Sequence, residues 1–172
     1  MFTTKVRFLI IGVAAILFGY TLFQQSYQLV ALVGLLIGYL IWSYFKQGTV
    51  ALASKAFHNK DYAKAEILLK EIRDPDRLAR NRRGYYEFIY GNIELQRENF
   101  PEAERHFQIA SRFPLRTEND KALVLVQLAN LSLRRREFDK AGVYVNKAKE
   151  LKISSRVNNI IQKIEHEIQK SK

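Results

Sequence analysis

The sequence predicts an all-α protein in two parts. An N-terminal two-helix transmembrane hairpin is followed by an α-solenoid of three helix pairs and a C-terminal capping helix. Three observations predict it. Of 172 residues, 38 in a row from Phe8 to Phe45 carry no charge, while all 17 acidic and 26 of the 28 basic residues lie from Lys46 onward. A motif recurs at a spacing of 38 residues through the charged part. Near the C-terminus, Val157, Ile160, Ile161, Ile164 and Ile168 fall on one helical face. The two parts divide at about residue 46, giving a hairpin over 1–46 and a repeat domain over 47–172. Zero Cys excludes disulfide scaffolds, thiolate metal sites and cysteine nucleophiles.

The hairpin is argued from length. One helix of 38 residues would run about 57 Å, nearly twice the ~30 Å of hydrocarbon it would have to cross. The polar stretch Gln24–Gln28 divides the run into spans over about 6–23 and 27–45. Tyr20, Phe23 and Tyr27 would form one aromatic belt, and Phe8, Trp42, Tyr44 and Phe45 the other. Gly12 and Gly19 would face Gly38 and Ala31, letting the two backbones approach closely. Lys5 and Arg7 before the first span, and Lys46, Lys55, Lys60 and Lys64 after the second, place both termini and the repeat domain in the cytoplasm. The expected location is a bacterial inner (plasma) membrane, multi-pass. A cleaved signal peptide over 1–20 fits less well, because no small-residue cleavage site follows the apolar run.

The repeat is read from three aligned segments: Asp61-Tyr62-Ala63-Lys64-Ala65-Glu66, Asn99-Phe100-Pro101-Glu102-Ala103-Glu104 and Glu137-Phe138-Asp139-Lys140-Ala141-Gly142. Large residues follow at Leu69, Phe107 and Val145; upstream, Leu52, Tyr90 and Leu128 precede Ala53, Gly91 and Ala129. Small residues at such columns let paired helices pack closely while large ones fill between them. The units run over about 48–77, 84–115 and 122–153. Asp74-Pro75-Asp76 reads as a stop and new start, and Thr117–Asp120 as another start. A capping helix over about 155–170 covers a core that would otherwise end open.

These motifs resemble the tetratricopeptide repeat in a membrane-anchored bacterial type: a large residue then Gly or Ala on the first helix, an aromatic opening the second, then Ala-x-x-x-large along it. The resemblance covers about residues 48–153. It departs from the family at the early Trp position, held here by Thr49, Glu87 and Leu125, and in a period longer by four residues. It implies a concave face, lined by the first helices, that holds an extended peptide or partner helix.

The residue pattern offers no chemistry of bond making. His58, His106 and His166 are isolated, and there is no HExxH, phosphate-binding glycine loop or nucleophile elbow. No catalytic residue, metal or cofactor is expected. Binding is the remaining class, and two surfaces compete. By the resemblance, Ser54, Asn92 and Asn130 would bond a ligand backbone, with Phe57, Leu95 and Leu133 as an apolar floor one turn on and Arg134 beside them. The partner would be a protein or peptide, held by a membrane-anchored scaffold. The alternative is a basic patch of Arg77, Arg80, Arg82, Arg83, Arg134, Arg135 and Arg136 that binds anionic lipid or RNA, with the groove incidental. Nucleic acid is the weaker of these partners, because the aromatic residues near the arginines are spaced for helix packing rather than for stacking on bases.

Overall fold

The chain forms eight α-helices, one 3-10 turn and no strand among the residues that the computed structural model describes, which are 9, 10, 12, 13, 16, 19, 20, 23, 27–47 and 49–170. The helices are α1 (Tyr27–Gln47), α2 (Val50–His58), α3 (Tyr62–Lys70), α4 (Arg80–Gln96), α5 (Phe100–Ser111), α6 (Glu118–Arg134), α7 (Phe138–Lys149) and α8 (Ser155–Lys170); the 3-10 turn is Pro75–Arg77. They divide into two compact units, Met1–Ala79 and Arg80–Lys172.

The all-helical expectation holds, but the transmembrane hairpin does not. Among the described residues no helix is long and apolar enough to cross a membrane. The reason lies in the ends of α1. Gln28 and Ser43 bound its apolar stretch, leaving about 14 residues and about 21 Å where a span needs about 20 residues. Of the other expected span, over 6–23, Leu9, Ile10, Gly12, Val13, Ile16, Gly19, Tyr20 and Phe23 are described and helical; the rest lies outside the described residues. Among the described residues, a Cβ added at Gly12, Gly19 or Gly38 would meet nothing within 4 Å, so none of these three glycines marks a close approach. The multi-pass inner-membrane location and its cytoplasmic orientation rested on the hairpin and are withdrawn with it. Leu32, Leu35, Tyr39 and Trp42 of α1 stand exposed.

In the first unit, α2 and α3 pack through Val50, Ala53, Ala56, Ala65 and Leu69, all buried. Thr49 donates its hydroxyl to the Leu68 carbonyl, and the Asp61 carboxylate caps α3 by accepting from Lys64 N at 3.1 Å.

In the second unit, α4 packs on α5 through Phe88, Ile89, Ile93, Ala103, Phe107 and Ala110. Gly91 lies against the Phe107 ring, where a Cβ would come within 2.8 Å of it. Helices α6, α7 and α8 enclose another core of Ala122, Leu125, Val126, Ala129, Val145, Ala148, Val157, Ile161 and Ile164. The apolar stripe of α8 therefore closes the third helix pair. Its approach is fixed by two backbone donors on side chains of the first turn of α6: Lys152 N on Glu118 Oε2 at 2.6 Å and Ser154 N on Asn119 Oδ1 at 2.9 Å. Thr117 caps that turn, accepting from Asp120 N at 3.0 Å.

The three helix pairs turn in the same way. The N–H of Asp61, Asn99 and Glu137 each bonds the carbonyl five residues back, on Ala56, Glu94 and Ser132, at 3.0, 2.9 and 2.9 Å. Just before them, Lys60, Glu98 and Arg136 adopt left-handed φ values of 62°, 59° and 59°. This is the six-to-one closure of a helix C-terminus, made without glycine. The 38-residue sequence period is thus also a period in backbone conformation. Helices α4 and α6 each have 17 residues where α2 has 9.

Candidate binding site

The amides of the expected groove occupy equivalent, half-buried positions: Ser54 on α2, Asn92 on α4 and Asn130 on α6, each directly after a buried Ala53, Gly91 or Ala129. Asn92 is partly committed, because its Nδ2 donates to the Phe88 carbonyl at 2.7 Å on its own helix. The expected floor is also half-buried. Phe57 meets Tyr62 edge-on at 5.7 Å, Leu95 lies on α4, and Leu133 packs against the core shared by α6, α7 and α8.

Several of the arginines are engaged with neighbouring side chains. Arg77 pairs with Asp74 at 2.9 Å, Arg80 is exposed and Arg82 half-exposed. Arg83 is an interior residue, with a side chain 15% exposed and bonded to Glu87 at 2.9 Å. Successive positions on a helix point about 100° apart, and at the end of α6 this separates three neighbours. Arg134 lies over the Phe100 ring, its guanidinium carbon 3.8 Å from the ring centre. Arg135 reaches Glu104 at 2.7 Å and Glu137 at 3.0 Å, and Arg136 sits in the left-handed turn.

Between the start of α5, the end of α6 and the start of α7, Arg134 and Arg135 line an open pocket of about 700 Å³. Phe100, Pro101 and Leu131 supply its apolar wall, and Arg105, Arg134, Arg135 and Lys140 its cations. Glu104 is the carboxylate at its base, with a side chain 10% exposed. It accepts from Arg135 at 2.7 Å, Lys140 at 3.0 Å and Gln108 at 2.9 Å. Burial alone would raise its pKa, but the hydrogen bonds from Lys140 and Arg135 outweigh that and hold the carboxyl below its usual range. In return, the hydrogen bond to Glu104 raises the Lys140 ammonium.

A second polar cluster is buried inside the α4–α5 pair. Glu87, 2% exposed, binds Arg83 on one side and accepts from His106 Nδ1 at 2.5 Å on the other. The His106 ring stacks on Tyr90 at 5.3 Å, Tyr90 meets Tyr86 at 4.9 Å, and Arg83 lies over Tyr86 at 5.5 Å. Burial pushes the Tyr86 phenol up, and burial with the bond to Asp120 does the same for Tyr85.

No family model, curated protein or solved structure matches the chain. Among the described residues no group of His, Asp and Glu side chains could hold a metal ion.

Sequence reasoning missed both clusters. His106 reads as isolated because its partner is 19 positions back, on another helix. The signal was present in the 38-residue columns. Thr49, Glu87 and Leu125 share one column and Leu68, His106 and Tyr144 another, so Glu87–His106 falls where Thr49–Leu68 makes its hydrogen bond. Glu104 belongs to the column of Glu66 and Gly142, where Glu66 pairs with Lys70 at 2.8 Å.

Proposed function

We propose that the chain is a helical-repeat binding module for a protein or peptide partner, acting by binding rather than by catalysis. One observation carries the reading. Asn92 and Asn130 hold equivalent half-buried positions beside residues kept small and buried by packing, so a polar side chain recurs where the core does not require one. An amide there offers both a donor and an acceptor to an extended backbone, and the resemblance to tetratricopeptide proteins supports such a ligand. The competing electrostatic reading loses support, because Arg77, Arg83 and Arg135 are paired with carboxylates and Arg134 is stacked on Phe100.

The test is site-specific photo-crosslinking in cells. A photoreactive amino acid at Asn92 or Asn130 should trap a discrete protein partner, and one at exposed Val143 on α7 should not. Trapping of RNA alone, or trapping that is equal from Val143, would overturn the reading.

A further inference from the structure

The charges around the α5–α6–α7 pocket are not balanced, and the excess has an address. Arg105 pairs with Glu102 at 2.8 Å; Arg135 pairs with Glu104 and Glu137; Lys140 pairs with Glu104 at 3.0 Å and Glu137 at 3.1 Å. Four cations thus meet three carboxylates, and among the described residues Arg134 is the cation of the four that makes no ion pair. It is nevertheless held in place. Its guanidinium carbon sits 3.8 Å above the centre of the Phe100 ring, and among the described residues its N–H groups make no hydrogen bond, so they remain available to a ligand. A planar fork fixed in this way matches a carboxylate through two parallel hydrogen bonds. The wall beside it is apolar, formed by Phe100, Pro101 and Leu131.

We infer that this pocket binds an acidic side chain of a peptide segment, with Arg134 holding the carboxylate and the Phe100–Pro101–Leu131 wall taking the neighbouring aliphatic side chain. The inference rests on the reading of the chain as a peptide-binding module and names the partner chemistry at a second surface. Its specificity has two parts. Glu104 already accepts from Arg135, Lys140 and Gln108, so its charge is matched within the chain and it supports the cations rather than a ligand cation. The size, about 700 Å³, suits two side chains of a short segment rather than one isolated anion.

The experiment is an amide-resolved NMR titration of the full chain with acetyl-Leu-Glu-Leu-Glu-Leu-amide. The same peptide with Gln for Glu, and inorganic phosphate, serve as comparison probes. The acidic peptide should shift resonances around Phe100, Leu131 and Arg134, and the Gln peptide should bind at least tenfold more weakly. Arg134→Gln should lose tenfold or more for the acidic peptide. Arg134→Lys, which keeps the charge but not the planar fork, should also weaken binding, by threefold or more. Arg136→Gln should bind as the parent does and keep its melting temperature, and both Arg134 variants should keep the parent's amide spectrum away from the pocket, which shows that they remain folded. Equal binding of the Gln peptide, unchanged binding by Arg134→Lys, phosphate binding as tight as the peptide, or no shifts at millimolar peptide would each overturn the inference. Such a failure leaves partner trapping from Asn92 and Asn130 intact, whereas failure of the binding-module reading removes that trapping.

Discussion

Glu98 and Arg136 hold the same left-handed backbone angle, φ 59°, at the turns closing α4 and α6, although neither is glycine. A side chain in this region crowds its own carbonyl, and glycine avoids that at the cost of greater freedom when unfolded. Glu98→Gly should therefore stabilise the protein by about 0.5–1 kcal/mol. Glu98→Val, β-branched at the same angle, should destabilise it. Chemical denaturation of the two variants reads both signs, and a Gly variant less stable than its parent would exclude this account of the turn.

Gly91 is the converse case, a glycine demanded by contact rather than by angle. A Cβ there would sit 2.8 Å from Phe107, which is fully buried and has nowhere to retreat. Gly91→Ala should cost about 1–3 kcal/mol through overpacking. Adding Phe107→Leu should recover part of that loss, so that the double variant is more stable than the sum of the two single losses implies. Melting curves of the four proteins check it.

Breaking the interior Glu87 cluster should be costly. Glu87→Ala leaves Arg83 without the carboxylate that faces it and should destabilise by about 3–5 kcal/mol. The triple variant Arg83→Lys, Glu87→Leu and His106→Tyr installs the residues that occupy the same three columns in the third helix pair, Lys121, Leu125 and Tyr144, and so removes the interior guanidinium together with its carboxylate. It should lose less than Glu87→Ala. An exposed carboxylate would show no such ordering in equilibrium unfolding.

The pH dependence around Glu104 has a definite sign. Its carboxyl titrates lower in the folded chain than its ordinary 4.5, so its contribution is present above pH 4.5 and is lost as pH falls through the folded value. Lys140 is raised above its ordinary 10.5, so its contribution is full below that and is lost as pH rises through the folded value. Glu104→Gln should thus be less stable than its parent at neutral pH, and the gap should close on acidification below 4.5. A gap constant from pH 7 to pH 3 would mean that Glu104 gains nothing from its partners.

What could be read beforehand was whatever packing forces to recur. Ala53, Gly91 and Ala129, and Ala65, Ala103 and Ala141, must be small wherever helices approach, so the 38-residue period stood out. The α8 stripe was legible for the same reason, since Val157, Ile161 and Ile164 all face one core. Polar pairs between helices were harder. Glu87 and His106, or Glu104 and Lys140, are separated by 19 and 36 positions and carry no local pattern. Adjacency misled in the other direction at Arg134, Arg135 and Arg136, because a charge run in sequence is dispersed around a helix end. The expected hairpin failed on length, since counting uncharged residues treats Gln28, Ser43 and Tyr44 as though they were as apolar as leucine.

The boundary between the second and third helix pairs is crossed by Tyr85 donating to Asp120, by Glu104 with Arg135 and Lys140, and by Arg134 on Phe100. In a linear array each unit's stability adds to the coupling with its neighbour, and that coupling decides whether the array melts in one step or several. Here part of the coupling is charged, and although Glu104 is only 10% exposed, its partners Arg135 and Lys140 reach it from the solvent side, where added salt screens them. Salt therefore acts on cooperativity more than on the cores of the pairs themselves, and the sharpness of the unfolding transition becomes a property of the solvent as well as of the chain.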